Sequence, residues 1–254
     1  MSANVLIDTK DRVLRIEIAR PEKKNALTKA MYVAMADALD AAMADGAVRA
    51  VLITGQPGIF TSGNDIDDFT QRPSGTESPA IVFMKALLGC DKPVIAAVTG
   101  AAIGIGTTML LHCDFVFVSD EARLAMPFVS LGLVPEFASS LIVPQLLGNV
   151  RAAEKLLLGD PFTGADAVEA GIANAVLPAD EVVRHARRIA ERFNTLPPGA
   201  VRETKRLLRR ARSAAVLETI DAESTTFAAR LQSPEAKEAF SAFFQKRKPD
   251  FSQF

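Results

Sequence analysis

Strand-like and helix-like patterns alternate along the first two thirds of the chain. Val13–Ile18 alternates apolar and polar residues, which is typical of a half-buried strand, and residues 48–53 and 93–99 are mainly apolar runs of strand length. Between the first two, apolar residues recur at helical spacing from Thr28 until Gly46 ends the pattern. Strands that are separated by helices pair in parallel, with the helices covering the sheet. The sequence therefore predicts an α/β fold.

From residue 178 onward the chain has a different pattern, in which helical segments follow one another without strands. Residues 178–194, 199–231 and 233–246 are each predicted to be helical, and the last segment carries an apolar stripe. The basic residues along these segments are predicted to form a solvated face. An apolar stripe has to be buried against another surface, so we expect a subunit interface here. The expected division is a core of residues 1–195 and a C-terminal oligomerisation region of residues 196–254.

The middle of the chain contains a glycine-rich turn, beginning at Gly100, that leads into a predicted helix at 106–111 and a predicted strand at 114–118. Before it, the composition of residues 74–79 predicts a flexible loop. The glycines do not form a dinucleotide-binding motif, because Met109 stands where the third glycine belongs, and no P-loop lysine follows. The sequence therefore does not support nucleotide chemistry.

A serine nucleophile is not supported either. The residues around Ser130 are FVSLG, which lacks the first glycine of the G-x-S-x-G elbow. His112 lies between Leu111 and Cys113, just before a predicted strand, and is predicted to be a packed structural histidine rather than a base.

Composition and charge exclude several classes of function. The 254 residues include 29 basic and 30 acidic side chains, and the net charge of −1 argues against broad nucleic-acid binding. The two cysteines lack paired spacing, which indicates a reducing compartment and no metal site, and the two histidines are too few and too isolated for a typical zinc site. No run reaches the roughly 18 apolar residues that a membrane helix needs, and the N-terminus has no signal-peptide pattern. We therefore expect a cytoplasmic protein that holds no metal and binds neither nucleic acid nor membranes.

Three segments carry the remaining chemical signals. They are FTSGNDIDDF at 60–69, KPVIAAVTGAAIGIGTTMLLHCDFVFVS at 92–119 and MPFVSLGLVPEFASSLIVPQLLG at 126–148. The second contains a predicted helix start near Ile105, where unpaired backbone N–H groups are good donors to a developing negative charge. The third contains a lone carboxylate, Glu136, among apolar and small residues.

These segments resemble the crotonase superfamily, which has the enoyl-CoA hydratase/isomerase fold. The motifs NALT, FTSGNDI, KPVIAAVTG, CD and LGLVPE occur in the order and at the spacing of that family, and the similarity extends over nearly the whole chain. The resemblance implies a spiral of ββα turns followed by a C-terminal helical trimerisation region. It also implies an acyl-CoA thioester as substrate, no cofactor beyond the coenzyme A of that substrate, and a homotrimer or hexamer.

The resemblance further implies roles for individual residues. The thioester oxygen would be bound by the backbone N–H groups of Asn64 and Ile105. Residues expected to contact the substrate and its coenzyme A are Lys24, Ala26, Leu27, Ser62, Asp65, Ile66 and Lys246, with Lys248 as an alternative to Lys246. The local sequence at Asp65 by itself predicts a turn-forming residue. Candidates for the acyl pocket, which are equally candidates for the core, are Phe69, Phe83, Met84, Leu87, Leu88 and Met109.

The chain departs from the hydratases of the superfamily at both of their catalytic glutamates, where it has Thr108 and Phe128. Hydration needs one group to deprotonate water and another to protonate the α-carbon, and neither side chain can do this. A double-bond shift needs only one base. The Δ3,Δ2-enoyl-CoA isomerases of the superfamily place theirs in a segment resembling GLVPE, which here contains Glu136. The bulky Ile105 at the second oxyanion position also resembles that branch.

We therefore predict that the protein shifts the double bond of a 3-enoyl-CoA to give the 2-enoyl-CoA, with Glu136 as the base. Its apolar neighbours Phe128, Leu133 and Phe137 are expected to raise its pKa and exclude water. Two alternatives stay open. One is hydration or another reaction of the superfamily, such as hydrolysis or C–C cleavage, with a non-standard residue set. The other is a non-catalytic module that binds acyl-CoA or a protein.

Overall fold

The computed structural model describes residues 4–69 and 78–254. Its strands are β1 (Val5–Lys10), β2 (Val13–Ile18), β3 (Ala50–Thr54), β4 (Ile59–Thr61), β5 (Val94–Val98), β6 (Ala101–Ile103), β7 (Phe115–Ser119), β8 (Arg123–Ala125), β9 (Phe162–Thr163) and β10 (Ala175–Leu177). Its α-helices are α1 (Lys29–Ala44), α2 (Ile66–Phe69), α3 (Pro79–Gly89), α4 (Ile105–Thr108), α5 (Ser139–Leu147), α6 (Asn149–Ala153), α7 (Gly164–Glu169), α8 (Val182–Glu191), α9 (Pro198–Arg210), α10 (Ser213–Arg230) and α11 (Pro234–Phe244).

The strands form two sheets, and from β3 to β8 consecutive strands alternate between them. The larger sheet has the order β1-β2-β3-β5-β7-β10, and the smaller has the order β4-β6-β8-β9. The neighbours β3, β5 and β7 are parallel in one sheet, as are β4, β6 and β8 in the other. Each pair of strands is followed by helical structure, so the chain winds as a spiral of ββα turns. The predicted α/β fold with helices at its C-terminus is confirmed.

The core lies on both faces of the larger sheet. Every residue of β3 and β5 is buried. Helix α1 covers one face with side chains such as Met35 and Leu39. Helix α8 covers the other face, where Val182 and Ala186 pack with Leu52 of β3. Continuous apolar strands are expected of a parallel sheet that is covered on both sides.

Several predicted boundaries differ from the structure. The segment predicted as one helix at 199–231 is two helices, because the chain turns at Ala211 and Arg212 between α9 and α10. The helix predicted at 106–111 starts as α4 and continues as a 3-10 turn, Met109–His112. The helix predicted at 178–194 begins only at Val182. Of the predicted loop at 74–79, residues 74–77 lie outside the described residues, and Pro79 begins α3.

The prediction of a solvated basic face on the C-terminal helices is wrong for two residues of α9. Lys205 is buried, and its Nζ lies 2.6 Å from an oxygen of Asp114. Arg209 is half-buried and donates hydrogen bonds to the carbonyl oxygen of His112 and to Asp114. Both side chains are drawn inward by the carboxylate at the start of β7, while Arg206 stays exposed as predicted. Asp114, which also accepts from the backbone N–H of β5, is structural as expected.

Candidate active site

Two loops that follow neighbouring parallel strands place unpaired backbone N–H groups beside each other. Strands β4 and β6 are paired, and each leads into a glycine with positive φ, Gly63 at 93° and Gly104 at 59°. Asn64 and Ile105 follow these glycines. Within the described part of the chain, no hydrogen-bond acceptor is found for the N–H group of either residue. A β-carbon on Gly63 would lie 2.9 Å from the Ile103 carbonyl oxygen, which shows how closely the loops approach.

The segment at residues 24–27 runs alongside the loop after β4. The N–H of Ser62 donates to the carbonyl oxygen of Lys24 at 3.0 Å, and the N–H of Leu27 donates to that of Gly63 at 2.8 Å. The N–H of Asp65 donates to the carbonyl oxygen of Leu27 at 2.9 Å, which is a third hydrogen bond between the two segments. The structure thus joins the two segments that were predicted to bind coenzyme A.

Arg20 ties the same two segments together through its side chain. Its guanidinium donates to the carbonyl oxygen of Ala26 at 3.0 Å and to Asp65 at 2.5 Å. The other oxygen of Asp65 accepts from the N–H of Asp67 at 3.0 Å, which is the turn-forming role that its sequence predicts. Ile66 is half-buried at the start of α2.

Lys246 is the predicted contact that the structure does not bring to these segments. It is exposed after the end of α11, and its backbone N–H donates to Phe243. Among the described residues, no hydrogen bond or ion pair joins it to residues 24–27 or to the loop after β4. Its proposed contact with coenzyme A stays a prediction, as does that of Lys248.

A cavity of about 60 Å³ lies between α1, the loop after β4, α3, the loop before α5, and α10. Residues of all five elements line it, among them Tyr32, Asn64, Met84, Glu136 and Phe227, together with Leu27 just before α1. The candidate base therefore lines the same cavity as Asn64, whose N–H group is one of the candidate oxyanion donors. Ile105 is buried at the adjoining strand end.

Of the acyl-pocket candidates, Met84 lines this cavity. Phe83, Leu87 and Met109 are fully buried and belong to the core, where they pack away from solvent. Leu88 is half-buried against the core, and the side chain of Phe69 lies outside the described part of the structure. The pattern of apolar residues could not separate these cases, because pocket and core use the same residue types.

Glu136 is a buried carboxylate at the wall of the cavity, with 6% of its surface exposed. The hydroxyl of Thr108 donates a hydrogen bond to one of its oxygens. Burial raises the pKa of Glu136 to about 8, in the expected direction. The hydrogen bond from Thr108 opposes this rise in pKa, and the negative charge of Glu223 adds to it. A carboxylate with a pKa near 8 can both accept and return a proton close to neutral pH.

The two other acids of the cavity are already engaged. Asp65 pairs with Arg20, as described above, and Asp68 accepts a hydrogen bond from the backbone N–H of Lys29 at 2.7 Å. Glu136 is thus the acid of this cavity that is both deeply buried and shifted toward a neutral pKa.

Tyr32 is a cavity residue that the sequence analysis missed. Its hydroxyl donates to the side-chain oxygen of Asn64 at 2.6 Å. Burial raises its pKa well above the ordinary value, and the charges of Glu136 and Asp68 act in the same direction, so the hydroxyl stays protonated. It is the one tyrosine of the chain, but it lies within a regular helical pattern, so the sequence is equally consistent with a tyrosine that only packs in the core.

The chain turns sharply just after Glu136. Phe137 and Ala138 have φ of 59° and 56°, a left-handed conformation that costs residues with a β-carbon roughly 1–2 kcal/mol each. The Nε2 of His112 lies 2.7 Å from the carbonyl oxygen of Phe137, and the two rings stack at 3.9 Å. Burial lowers the pKa of His112 to about 3, so the neutral ring donates this bond. The prediction that His112 is structural is confirmed.

Glu223 holds the other side of this turn from helix α10. Its carboxylate accepts the N–H of Ala138 at 2.6 Å, and the N–H and the hydroxyl of Ser140 at 3.0 and 2.5 Å. Glu223 could not be predicted from the sequence, because it is one acid in a polar helical run and its spacing indicates no partner 83 to 85 residues earlier in the chain.

Comparison with known proteins is consistent with this fold and site. A family profile described as enoyl-CoA hydratase/isomerase matches residues 8–254. The chain therefore belongs to the enoyl-CoA hydratase/isomerase family, which confirms the resemblance to the crotonase superfamily. The structure of Pseudomonas aeruginosa OdaA is similar, with a TM-score of 0.93 and 53% sequence identity over 95% of this chain and 99% of that chain.

Similar relatives include proteins named for either reaction. The enoyl-CoA delta isomerase 2 of Rattus norvegicus is 34% identical over 253 residues, which are 97% of this chain and 64% of the relative. The chain thus spans less than two thirds of that relative. The 2,3-dehydroadipyl-CoA hydratase of Escherichia coli is 28% identical over 251 residues, which are 98% of each chain. Family membership therefore leaves the reaction open, and the reaction has to be argued from the site.

Proposed function

We propose that this protein is an acyl-CoA isomerase that moves the double bond of a 3-enoyl-CoA into conjugation with the thioester. The observation that carries the proposal is Glu136, a single buried carboxylate with a pKa of about 8 that faces the same cavity as Asn64. One base of matched pKa is what a double-bond shift requires.

In the proposed reaction, Glu136 removes a proton from C2 of the 3-enoyl thioester. The electron pair spreads over the carbonyl and the alkene, so the intermediate is a dienolate with negative charge on the thioester oxygen. The N–H groups of Asn64 and Ile105 donate to that oxygen. The same carboxyl group then returns its proton to C4, which leaves the double bond between C2 and C3. No atom is gained or lost.

Hydration is the main alternative, since relatives of the family carry that name. It needs a second acid–base group, and the positions of the hydratase glutamates hold Thr108 and Phe128. Both are buried, and the Thr108 hydroxyl is used as a donor to Glu136. These contacts favour the isomerase, because Thr108 supports one carboxylate instead of supplying a second base.

The test is turnover of the purified protein on 3-hexenoyl-CoA and 2-hexenoyl-CoA side by side, with Glu136→Gln as the variant. A positioned base contributes about 10²- to 10⁴-fold in rate. We expect conjugation of the 3-enoyl substrate, a loss of at least 10²-fold in the variant, and no hydration of the 2-enoyl substrate. Hydration that survives Glu136→Gln would contradict the proposal, and binding without turnover of either substrate would favour a non-catalytic module.

We also propose that the protein assembles as a homotrimer or hexamer through its C-terminal helices. Large apolar side chains are exposed on them: Leu207 and Leu208 on α9 are 63% and 78% exposed, and Phe243 and Phe244 on α11 are 58% and 50% exposed. Burying such side chains between subunits is favourable.

We also propose that the protein is cytoplasmic. Cys90 and Cys113 are both free, as expected in a reducing compartment. Within the described ranges, no helix is long and apolar enough to cross a membrane. Fractionation of cells that express the native chain would check this placement.

A further inference from the structure

The loop that carries Glu136 is clamped by the C-terminal helices at several points. A β-carbon on Gly132 would lie 2.6 Å from the backbone nitrogen of Ala236, so α11 packs directly on the start of the loop. Arg230 at the end of α10 donates to the carbonyl oxygen of Gly132 at 2.9 Å. Glu223, two turns earlier on α10, accepts the bonds from the end of the loop. The position of Glu136 is therefore set by helices far away in sequence.

The three hydrogen bonds to Glu223 have a specific chemical requirement. All three partners are donors: two backbone N–H groups and the hydroxyl of Ser140. A carboxylate accepts at both oxygens, whereas an amide side chain would turn an N–H group toward one of these donors. An acid of this length at this position is therefore matched to the turn in a way that Gln or Ala is not.

The conformation that these bonds hold is one that the chain does not prefer. Phe137 and Ala138 are consecutive residues with positive φ, directly after the candidate base. Conformations of this kind persist where the surrounding structure fixes them, and they occur where a side chain has to be aimed. If the N–H of Ala138 lost its acceptor, the turn at Phe137 and Ala138 could relax, and Glu136, which precedes the turn, could rotate.

We propose that Glu223 is a positioning residue, which fixes the left-handed turn at Phe137 and Ala138 and thereby aims the carboxylate of Glu136 into the cavity. This inference rests on the proposed role of Glu136 as the base. Helix α10 then holds the turn through Glu223 and also lines the cavity through Phe227, one helical turn further on.

The experiment compares Glu223→Gln with Glu218→Gln, the same change at an exposed position of the same helix. We expect Glu223→Gln to lower kcat by about 10- to 100-fold, because displacement of a reacting group by about 1 Å costs about that much. KM should stay within about twofold of the wild-type value, because the residues that were predicted to hold coenzyme A are untouched. Glu218→Gln should change neither constant.

A second variant makes the result independent of folding defects. Glycine adopts positive φ without the steric cost of a β-carbon. Adding Ala138→Gly to Glu223→Gln should therefore recover a large part of the lost kcat, measured at a temperature where thermal denaturation shows every variant to be folded. No recovery, with both proteins folded, would contradict the proposed link between Glu223 and the turn.

The pH profile of kcat/KM supplies a readout that a purely structural role would not move. The titratable groups that act on Glu136 or its turn are Tyr32 on α1, His112 on the 3-10 turn after α4, and Glu223 on α10. The charge of Glu223 raises the pKa of Glu136, so its removal lowers that pKa. The rise of kcat/KM with pH should therefore move to lower pH in Glu223→Gln.

The outcomes separate this inference from the proposed function. If Glu136→Gln retains turnover, the base is misassigned and both fail. If Glu136→Gln abolishes turnover while folded Glu223→Gln keeps wild-type kcat, with or without a shift of the pH profile, only the positioning role fails. A fall in kcat with an unchanged KM, a recovery by Ala138→Gly and a shifted pH profile together support it.

Discussion

At the scale of single residues, the burial of Glu136 opposes the ionisation that its proposed chemical role requires. Its pKa of about 8 in the folded protein compares with 4.5 for an unperturbed glutamate, because burial penalises the charged form. Between these two pH values the unfolded chain releases the proton and the folded chain retains it. The stabilising contribution of the protonated group is complete below pH 4.5 and is lost as the pH rises through 8. The ionised base that the reaction needs is thus the form that the fold tolerates least.

This predicts that Glu136→Gln is more stable than the wild-type protein at alkaline pH. Glutamine has nearly the same shape and never ionises, so the variant escapes the loss. Since each unit of pKa difference is worth about 1.4 kcal/mol, the gain in the free energy of unfolding above pH 8 is at most about 5 kcal/mol. Denaturant unfolding of both proteins at pH 4 and pH 8.5 measures it. Equal stability of the two proteins at pH 8.5 would show that Glu136 ionises there without cost.

At the scale of elements, the site is built where equivalent ends of paired strands meet. Strands β4 and β6 each lead into a glycine with positive φ, and the N–H group of the residue after that glycine has no acceptor among the described residues. The loop after β8, the next strand in the same sheet, leads to Glu136. Donors and base therefore come from successive turns of one spiral, and their spacing is fixed by strand pairing.

The close approach of these loops predicts the effect of Gly63→Ala. A β-carbon there would lie 2.9 Å from the Ile103 carbonyl oxygen, at a φ of 93° that alanine rarely adopts. The loop has to move, and the N–H of Asn64 moves with it. We expect kcat/KM to fall by about 10²- to 10³-fold, the effect of losing one oxyanion donor. Gly46→Ala, with open space around its β-carbon, is the control and should retain full activity. Near-normal activity of Gly63→Ala would remove Asn64 from the oxyanion site.

Four strands of the larger sheet, β2, β3, β5 and β7, could be predicted from the sequence, whereas those of the smaller sheet could not. β2 and β3 have six and five residues of clear pattern, while β4, β6 and β8 have three residues each, too few for a periodicity. They are strands because neighbouring turns of the spiral pair with them, which is information that no local window contains.

The residues of the site likewise divide into those that local sequence predicts and those that it does not. Glu136, Asn64 and Ile105 were predicted because their motifs are local and resemble a known family. Tyr32 and Glu223 were missed because each acts through a hydrogen bond to a residue 32 or more positions away. A polar residue on a regular helix shows its role only when its partner is known.

At the scale of the whole molecule, the C-terminal helices complete the site that the spiral begins. Helix α10 contributes Phe227 to the cavity wall and Glu223 to the turn after the base. Helix α9 is joined to the strand region through Lys205 and Arg209. Removing residues 199–254 would therefore disturb the site as well as any subunit interface, and point changes are the cleaner test of assembly.

The proposed assembly predicts the effect of placing charge on α9. The wild-type protein should have a mass of three or six times 27.2 kDa in solution. Leu207→Glu combined with Leu208→Glu should shift it toward monomer, because burying unpaired charge in an interface is unfavourable. Val33→Glu, at a 44% exposed position of α1, is the control. Light scattering measures the mass of the wild-type protein, of the double variant and of the control. A monomeric wild-type protein would contradict the proposed interface.

The most direct measurement of the central claim follows hydrogen from C2 to C4. 3-Hexenoyl-CoA carrying deuterium at C2 is converted in ordinary water by the wild-type protein, with Glu136→Gln as control, and the product is analysed by mass spectrometry and NMR. Because Glu136 is buried, the deuterium that it removes exchanges slowly with solvent, and part of it should appear at C4 of the 2-enoyl product. A product that carries only solvent hydrogen at C4, or conversion that persists in Glu136→Gln, would contradict a single glutamate that takes and returns the proton.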